Sequence, residues 1–139
     1  MSNRLTIKKV FNLPVIPNMS ISIVGVQDVA KAHIMAMEND NANGKRFLLS
    51  EKTIKLKDLS DILKNADFKK VPTYVVPNFI LKFAALFIPS LRMIAKRLGS
   101  EEKLYTKNAN NILGWHPKSA DLEIINSAKQ LYDIGILKK

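Results

Sequence analysis

The chain has 139 residues, enough for one domain, and its 47% hydrophobic and 24% charged content excludes a disordered or low-complexity chain. It contains no cysteine, which excludes a disulfide framework, a thiol nucleophile and a zinc site built on thiolates. Lysine and arginine number 22 against 12 acidic residues, and the net charge of +10 indicates a solvated lysine-rich surface, with binding of polyanions as the alternative.

The first half of the chain predicts alternating strands and helices. A short helix over residues 5–11 ends before two prolines. A buried strand follows over 21–26, and Asp28 is placed to cap a helix over 29–38. Residues 46–50 predict a further strand, and the next helix is marked by Leu56, Leu59, Ile62 and Leu63. This order favours a parallel or mixed sheet.

Helices dominate the second half. Residues 71–77 form an extended, proline-bounded stretch, and a helix is expected from Pro77 to residue 88. Further helices are predicted over 91–98 and 101–113, and Ser119 can cap the last one. The core side of that last helix is expected to hold Leu122, Ile125, Ala128 and Tyr132, flanked by Ile124 and Leu131. We predict one domain over 1–139, divided into a strand-and-helix part over 1–68 and a mainly helical part over 69–139.

The most apolar stretch runs from residue 75 to residue 94. Phe79, Phe83 and Phe87 share one helical face there, but prolines and basic residues interrupt the run, so a membrane span is not expected. Residues 69–100 contain six basic residues and no acidic one. The phenylalanine stripe favours a core or a pocket wall. Together with the basic residues, it leaves an interfacial helix on anionic lipid as the alternative.

Few groups in the sequence point to catalysis. His33 lies on the apolar side of its predicted helix and His116 lies in a connector, so packing explains both better than chemistry. The five glycines are far apart, which leaves no phosphate-binding loop, and no tyrosine has a lysine four residues later. No metal site and no nucleic-acid signature is present. Without a signal-peptide core near residue 1, a cytoplasmic location is expected.

Several segments resemble, in order, those of extended short-chain dehydrogenases/reductases, with dihydroflavonol-reductase-like and NAD-dependent epimerase/dehydratase proteins as the closest. Residues 22–33, Ser-Ile-Val-Gly-Val-Gln-Asp-Val-Ala-Lys-Ala-His, resemble the family's strand-to-helix segment V-x-V-x-D-V-A-x-A-H. Residues 43–47 resemble its G-x-R-Y segment, and the run Leu113-Gly114-Trp115-His116-Pro117 matches a later landmark. Gln27 departs from the pattern, because many relatives have arginine or aspartate there.

The resemblance implies an α/β fragment: the C-terminal, substrate-binding part of an NAD(P)-binding Rossmann-like enzyme, with a few short strands and a helix-rich C-terminal half. In the family, the glycine-rich cofactor loop and the Tyr-x-x-x-Lys pair lie in the N-terminal half. This chain has neither, so no catalytic or cofactor-binding residue is carried over, and the chain alone is not expected to transfer hydride. The full-length parent would use NAD or NADP on a small carbonyl or hydroxyl substrate.

The substrate-binding residues that the resemblance implies are few. Met19 and Ser22 would border the substrate, and Tyr74, Phe79 and Phe83 would form an apolar wall. A sheet or helix face left uncovered predicts self-association. Two other functions stay open: a free-standing basic module for anionic lipid or nucleic acid, and a non-catalytic protein-interaction domain.

Overall fold

The computed structural model describes residues 3–100 and 104–137. Within those residues the fold is α/β with a few short strands and a helix-rich second half, which confirms the predicted fold class. The strands are β1 (Ile16–Pro17), β2 (Ser20–Ile23), β3 (Lys52–Lys55) and β4 (Val75–Val76). The helices are α1 (Asn3–Phe11), α2 (Val26–Met37), α3 (Leu56–Asn65), α4 (Asn78–Phe87), α5 (Arg92–Arg97), α6 (Lys107–Leu113) and α7 (Ala120–Asp133).

The strands form two separate pairs. β1 lies parallel to β4, with Ile16 opposite Val75. β2 lies antiparallel to β3, although α2 connects them, and the hydroxyl groups of Ser22 and Thr53 are 3.0 Å apart across this pair. The sequence order favours a parallel or mixed sheet, and in the described residues only the β1–β4 pair is parallel.

Two strand predictions are wrong in position. Residues 46–50 form no strand, because Phe47 and Leu49 pack against a small core while Leu48 faces solvent, and pairing begins only at Lys52. The strand predicted over 21–26 ends at Ile23, and α2 begins three residues earlier than expected. Gly25, not Asp28, is therefore the cap residue of α2.

Two clusters of buried side chains hold the molecule together. The main core joins α1, α3 and α7 to the strands, and it includes Ile7, Ile16, Leu59, Leu63, Phe68 and Ile124. It therefore draws on both the 1–68 and the 69–139 part of the chain. The second core is small and consists of Ala32, Ala42, Ala109, Leu113 and Trp115.

The face that α7 buries differs from the predicted one. The buried residues are Ala120, Ile124, Ala128 and Leu131, whereas Leu122 is 61% and Tyr132 41% exposed. The sequence of α7 carries two apolar stripes that share Ala128. The stripe with alanines at 120 and 128 faces the core, because small side chains let α1 and α3 approach closely.

The ends of the last two helices also need correction. Leu104–Thr106 are not helical, so α6 starts at Lys107, and residues 101–103 of the predicted helix lie outside the described residues. The helix ends as expected at Gly114, whose φ of 65° is the left-handed conformation that glycine adopts without strain. Ser119 makes no side-chain capping bond. A carboxylate oxygen of Glu51 instead accepts from the Ala120 backbone N–H at 3.2 Å.

Candidate functional site

An open groove lies where the link from β1 to β2 meets the end of β3 and the start of α3. We call it the Lys55 groove; its centre is formed by Asn18, Met19, Lys55 and Asp58. Two depressions of about 440 and 540 Å³ share Lys55 and Asp58, and a third of about 120 Å³ shares Lys55 and extends to Gly99 and Ser100. The groove is large enough for a small organic ligand.

Backbone hydrogen bonds between distant segments bring these residues together. The Met19 carbonyl accepts from the Leu56 backbone N–H at 3.0 Å, which holds the β1–β2 link against the start of α3. The Asn18 carbonyl accepts from the Gly99 backbone N–H at 2.9 Å, which brings the end of the α4–α5 segment to the same place. The groove is therefore built from three segments that are distant in the sequence.

Charged side chains of both signs line the groove. Lys57 donates to the Asp61 carboxylate at 2.7 Å, and this hydrogen bond, together with the charge of Asp61, raises the pKa of Lys57 above its usual value. Lys52 forms an ion pair of 2.6 Å with Asp121 at the start of α7. Because Lys52 and Lys57 are engaged in these pairs, Lys55 and Asp58 are the charges placed to meet a ligand.

Asp28 has a structural position away from the groove. It is 1% exposed; its carboxylate accepts from the Lys118 backbone N–H at 2.9 Å, and its backbone carbonyl accepts from the Trp115 indole N–H at 2.8 Å. The aspartate of the family-like segment thus ties α2 to the Trp115–Pro117 connector. The N-cap role predicted for Asp28 is wrong, because the carboxylate bonds to the connector and not to its own helix.

The five residues predicted to bind substrate lie in three places. Met19 lines the groove, and Tyr74 precedes Val75, which also lines it. Ser22 lies in the β2–β3 pair and faces a very small pocket near Ile7. The remaining two, Phe79 and Phe83, lie on α4, where they are 71% and 65% exposed.

The histidines lie outside the groove. His33 is exposed, contrary to its predicted place on a packed face, and its Nδ1 lies 2.8 Å from the Val29 carbonyl oxygen. His116 is also exposed. Within residues 3–100 and 104–137, no three histidine, aspartate or glutamate side chains are grouped to hold a metal ion, and no helix is long and apolar enough to cross a membrane.

Sequence reasoning missed Asn18, Lys55 and Asp58. Lys55 is one of 22 basic residues, and nothing in its neighbours distinguishes it. The sequence does contain a signal for Asn18, because an asparagine directly after a proline and before a predicted strand is typical of a turn. The groove itself depends on contacts between segments that local patterns do not show.

No protein-family model and no curated protein matches the sequence. Solved structures share the fold. A protein named gox2253 matches with a TM-score of 0.74 at 18% identity, over 99% of this chain and 46% of that one. Gre2 from Candida albicans in complex with NADPH matches with a TM-score of 0.64 at 25% identity, over 93% of this chain and 36% of that one. Yeast methylglyoxal/isovaleraldehyde reductase Gre2 with NADPH matches with a TM-score of 0.64 at 24% identity, over 97% and 36%.

The chain therefore spans less than half the length of the solved proteins it matches. These neighbours are members of the short-chain dehydrogenase/reductase and NAD-dependent epimerase group. This chain has the fold of a part of such Rossmann-like reductases.

Proposed function

We propose that this chain is the C-terminal, substrate-binding portion of an NADPH-dependent reductase that acts on a small carbonyl substrate. The observation that carries the proposal is the likeness to Gre2 with NADPH, which covers nearly all of this chain but about a third of that one. The family-like segment at 22–33 supports it, because its aspartate has a defined role as the buried joint to Trp115.

The division of labour follows from what this chain contains. A dinucleotide needs closely spaced glycines at a helix start, and the five glycines here are scattered. The cofactor and the acid/base pair would therefore come from a complementary portion, and this chain would bind and orient the substrate.

The proposed substrate site is the Lys55 groove with its apolar rim. Met19 contacts the substrate body, Lys55 lies beside its polar end, and Tyr74 borders the groove next to Val75. Phe79 and Phe83 lie on α4 and line none of the three depressions, so the proposed site does not include them. Ser22 is the least supported of the predicted contacts, because its hydroxyl is engaged with Thr53.

The methionines allow this proposal to be tested on the chain as it exists. With ¹³C-labelled methionine methyl groups, NMR can follow Met19 in the groove beside Met37, which is 86% exposed on α2 and serves as an internal control. We expect acetophenone, an apolar ketone, to shift the Met19 signal and to leave the Met37 signal unchanged. NADPH alone should shift neither and should not be oxidised.

Two results would contradict the proposal. A ketone that shifts Met37 as much as Met19 would show no selective site at the groove. Saturable binding of NADPH by this chain would show that the cofactor site is not confined to a complementary portion.

The variant Lys55→Gln tests the charge at the centre of the groove. It should weaken binding of a keto acid more than binding of acetophenone, because only the keto acid carries a negative charge.

A further inference from the structure

The segment from α4 to α5 forms a hairpin that belongs to neither core. Residues 77–99, as far as their side chains are described, contribute no member to the main core or the second core. The two helices pack on each other, and the Arg92 side chain donates to the Ala85 carbonyl at 3.3 Å. Ala85 is the only residue of α4 that is buried.

The exposed face of this hairpin is apolar. On a helical wheel the exposed side chains of Phe79, Phe83, Leu86 and Phe87 of α4 lie within an arc of about 100°. Exposure is 71% at Phe79, 65% at Phe83, 67% at Leu86, 73% at Phe87, 47% at Ile88 and 79% at Met93. We call this set the hairpin face. Six neighbouring large side chains left in water exceed the scattered exposure of a typical surface and mark an interaction site.

The charge around the hairpin face has one sign. Residues 69–100 carry six basic and no acidic side chains. Lys82 lies one position from Phe83 and four before Leu86, and Lys96 lies three positions after Met93, so both flank the apolar arc. Both lysines are exposed.

We propose that the hairpin face binds the surface of an anionic lipid bilayer. An apolar arc bordered by lysine and arginine is the pattern of a helix that lies in the headgroup region, with its aromatic and aliphatic side chains between the acyl chains. The hairpin has no helix long enough to span, so it would lie on the bilayer. The base of the hairpin reaches the Lys55 groove through Gly99, so an apolar ligand dissolved in the bilayer would be delivered close to the groove.

Two other occupants fit the hairpin face less well. A second copy of this chain would bring the four basic residues of the hairpin, Lys82, Arg92, Lys96 and Arg97, against the same four, and like charges at close range oppose pairing. Single-stranded nucleic acid would stack its bases on the three phenylalanines, but it would leave the aliphatic side chains Leu86, Ile88 and Met93 without a partner. A bilayer accepts aliphatic and aromatic side chains alike.

Vesicle co-sedimentation of the whole chain tests this proposal. Vesicles of 30% phosphatidylglycerol in phosphatidylcholine should bind it, pure phosphatidylcholine should bind it at least tenfold more weakly, and 0.5 M salt should reduce binding. The double variant Phe83→Ser/Phe87→Ser should lower the partition coefficient by about 30-fold. Lys82→Gln/Lys96→Gln should lower it by about 25-fold, from roughly fivefold per lysine.

A matched control is available on α2. Ile34 and Met37 are 55% and 86% exposed, so Ile34→Ser/Met37→Ser removes a similar apolar surface away from the hairpin and should leave vesicle binding unchanged. In the labelled protein, anionic vesicles that carry a paramagnetic lipid should broaden the Met93 methyl signal more than that of Met19. This separates the proposal from the substrate site, where a ketone should shift Met19.

Other outcomes would overturn the inference. Equal binding to both kinds of vesicle would show that binding does not depend on anionic lipid. Loss of binding in the α2 control would show that the bilayer contacts α2 and not the hairpin face. No binding to anionic vesicles would overturn the proposal. Dimerisation that Phe83→Ser/Phe87→Ser abolishes would then assign the hairpin face to a second copy, and a monomer without vesicle binding would assign it to the complementary portion. Far-UV circular dichroism would confirm that each variant keeps its helices.

Discussion

At the scale of single residues, Asp28 provides the clearest test of what stabilises the fold. Its buried carboxylate accepts from the Lys118 backbone N–H, 90 positions along the chain. Asp28→Ala leaves that N–H without its partner, and we expect the free energy of unfolding to fall by about 2 kcal/mol. Asp28→Asn keeps an acceptor oxygen and should lose about half as much. Urea unfolding followed by circular dichroism measures both.

The control for Asp28 is Asp40→Ala. Asp40 is exposed, and its removal should change stability by less than about 0.5 kcal/mol. Equal losses at positions 28 and 40 would contradict the role of the buried joint. The sequence identified Asp28 correctly as a structural residue but assigned it the wrong partner, because capping is a local rule and the Lys118 contact is formed by the tertiary fold.

At the scale of elements, α7 allows a test of which face is buried. Ile124 is fully buried between α1 and α3, and Ile124→Ala should lower the free energy of unfolding by about 2–4 kcal/mol through a cavity. Leu122 is 61% exposed, and Leu122→Ala should change it by less than about 0.5 kcal/mol. Thermal unfolding of the two variants side by side measures the difference.

The reverse result would restore the face predicted from the sequence. A large loss at Leu122 with little change at Ile124 would mean that α7 is rotated relative to the packing described above. The two variants are matched, since both shorten one aliphatic side chain to alanine in the same helix, so helix propensity affects them similarly.

The helices α3, α4 and α7 could be predicted from the sequence within a few residues, because their apolar spacing and their prolines are local signals. Of the strands, only β2 could, over residues 21–23. Residues 46–50 are as apolar as a strand, but Phe47 and Leu49 are used in the second core. β1 consists of Ile16 and Pro17, a pair that no period-2 pattern can reveal. Of the groove, Met19 followed from the family resemblance, whereas Lys55 depends on how distant segments meet.

At the scale of the whole molecule, the two cores differ in strength. Three of the five residues of the second core are alanine, so it buries much less apolar surface than the main core. The sole tryptophan, Trp115, lies in the second core. We therefore expect tryptophan fluorescence to change at a lower urea concentration than far-UV circular dichroism, because the second core opens first.

Hydrogen exchange checks the same prediction without a fluorescent probe. Amides of α2 and α6, which pack around the second core, should exchange faster than those of α3 and α7. Coincident fluorescence and circular dichroism transitions would contradict it and would indicate one cooperative unit.

The packing of α1 against α7 has a consequence for synthesis of the chain. Ile7 and Val10 are buried by contacts that include α7, and Arg4 donates to Gln130 at the far end of the sequence. At ribosomal rates of about 5–20 residues per second, roughly 6–24 seconds pass between the emergence of these two helices. During that interval α1 has only earlier-made partners such as Phe68, which contacts Phe11, and it lacks the helix that completes its burial. We therefore expect the nascent chain to be a substrate for chaperones until its last helix is made.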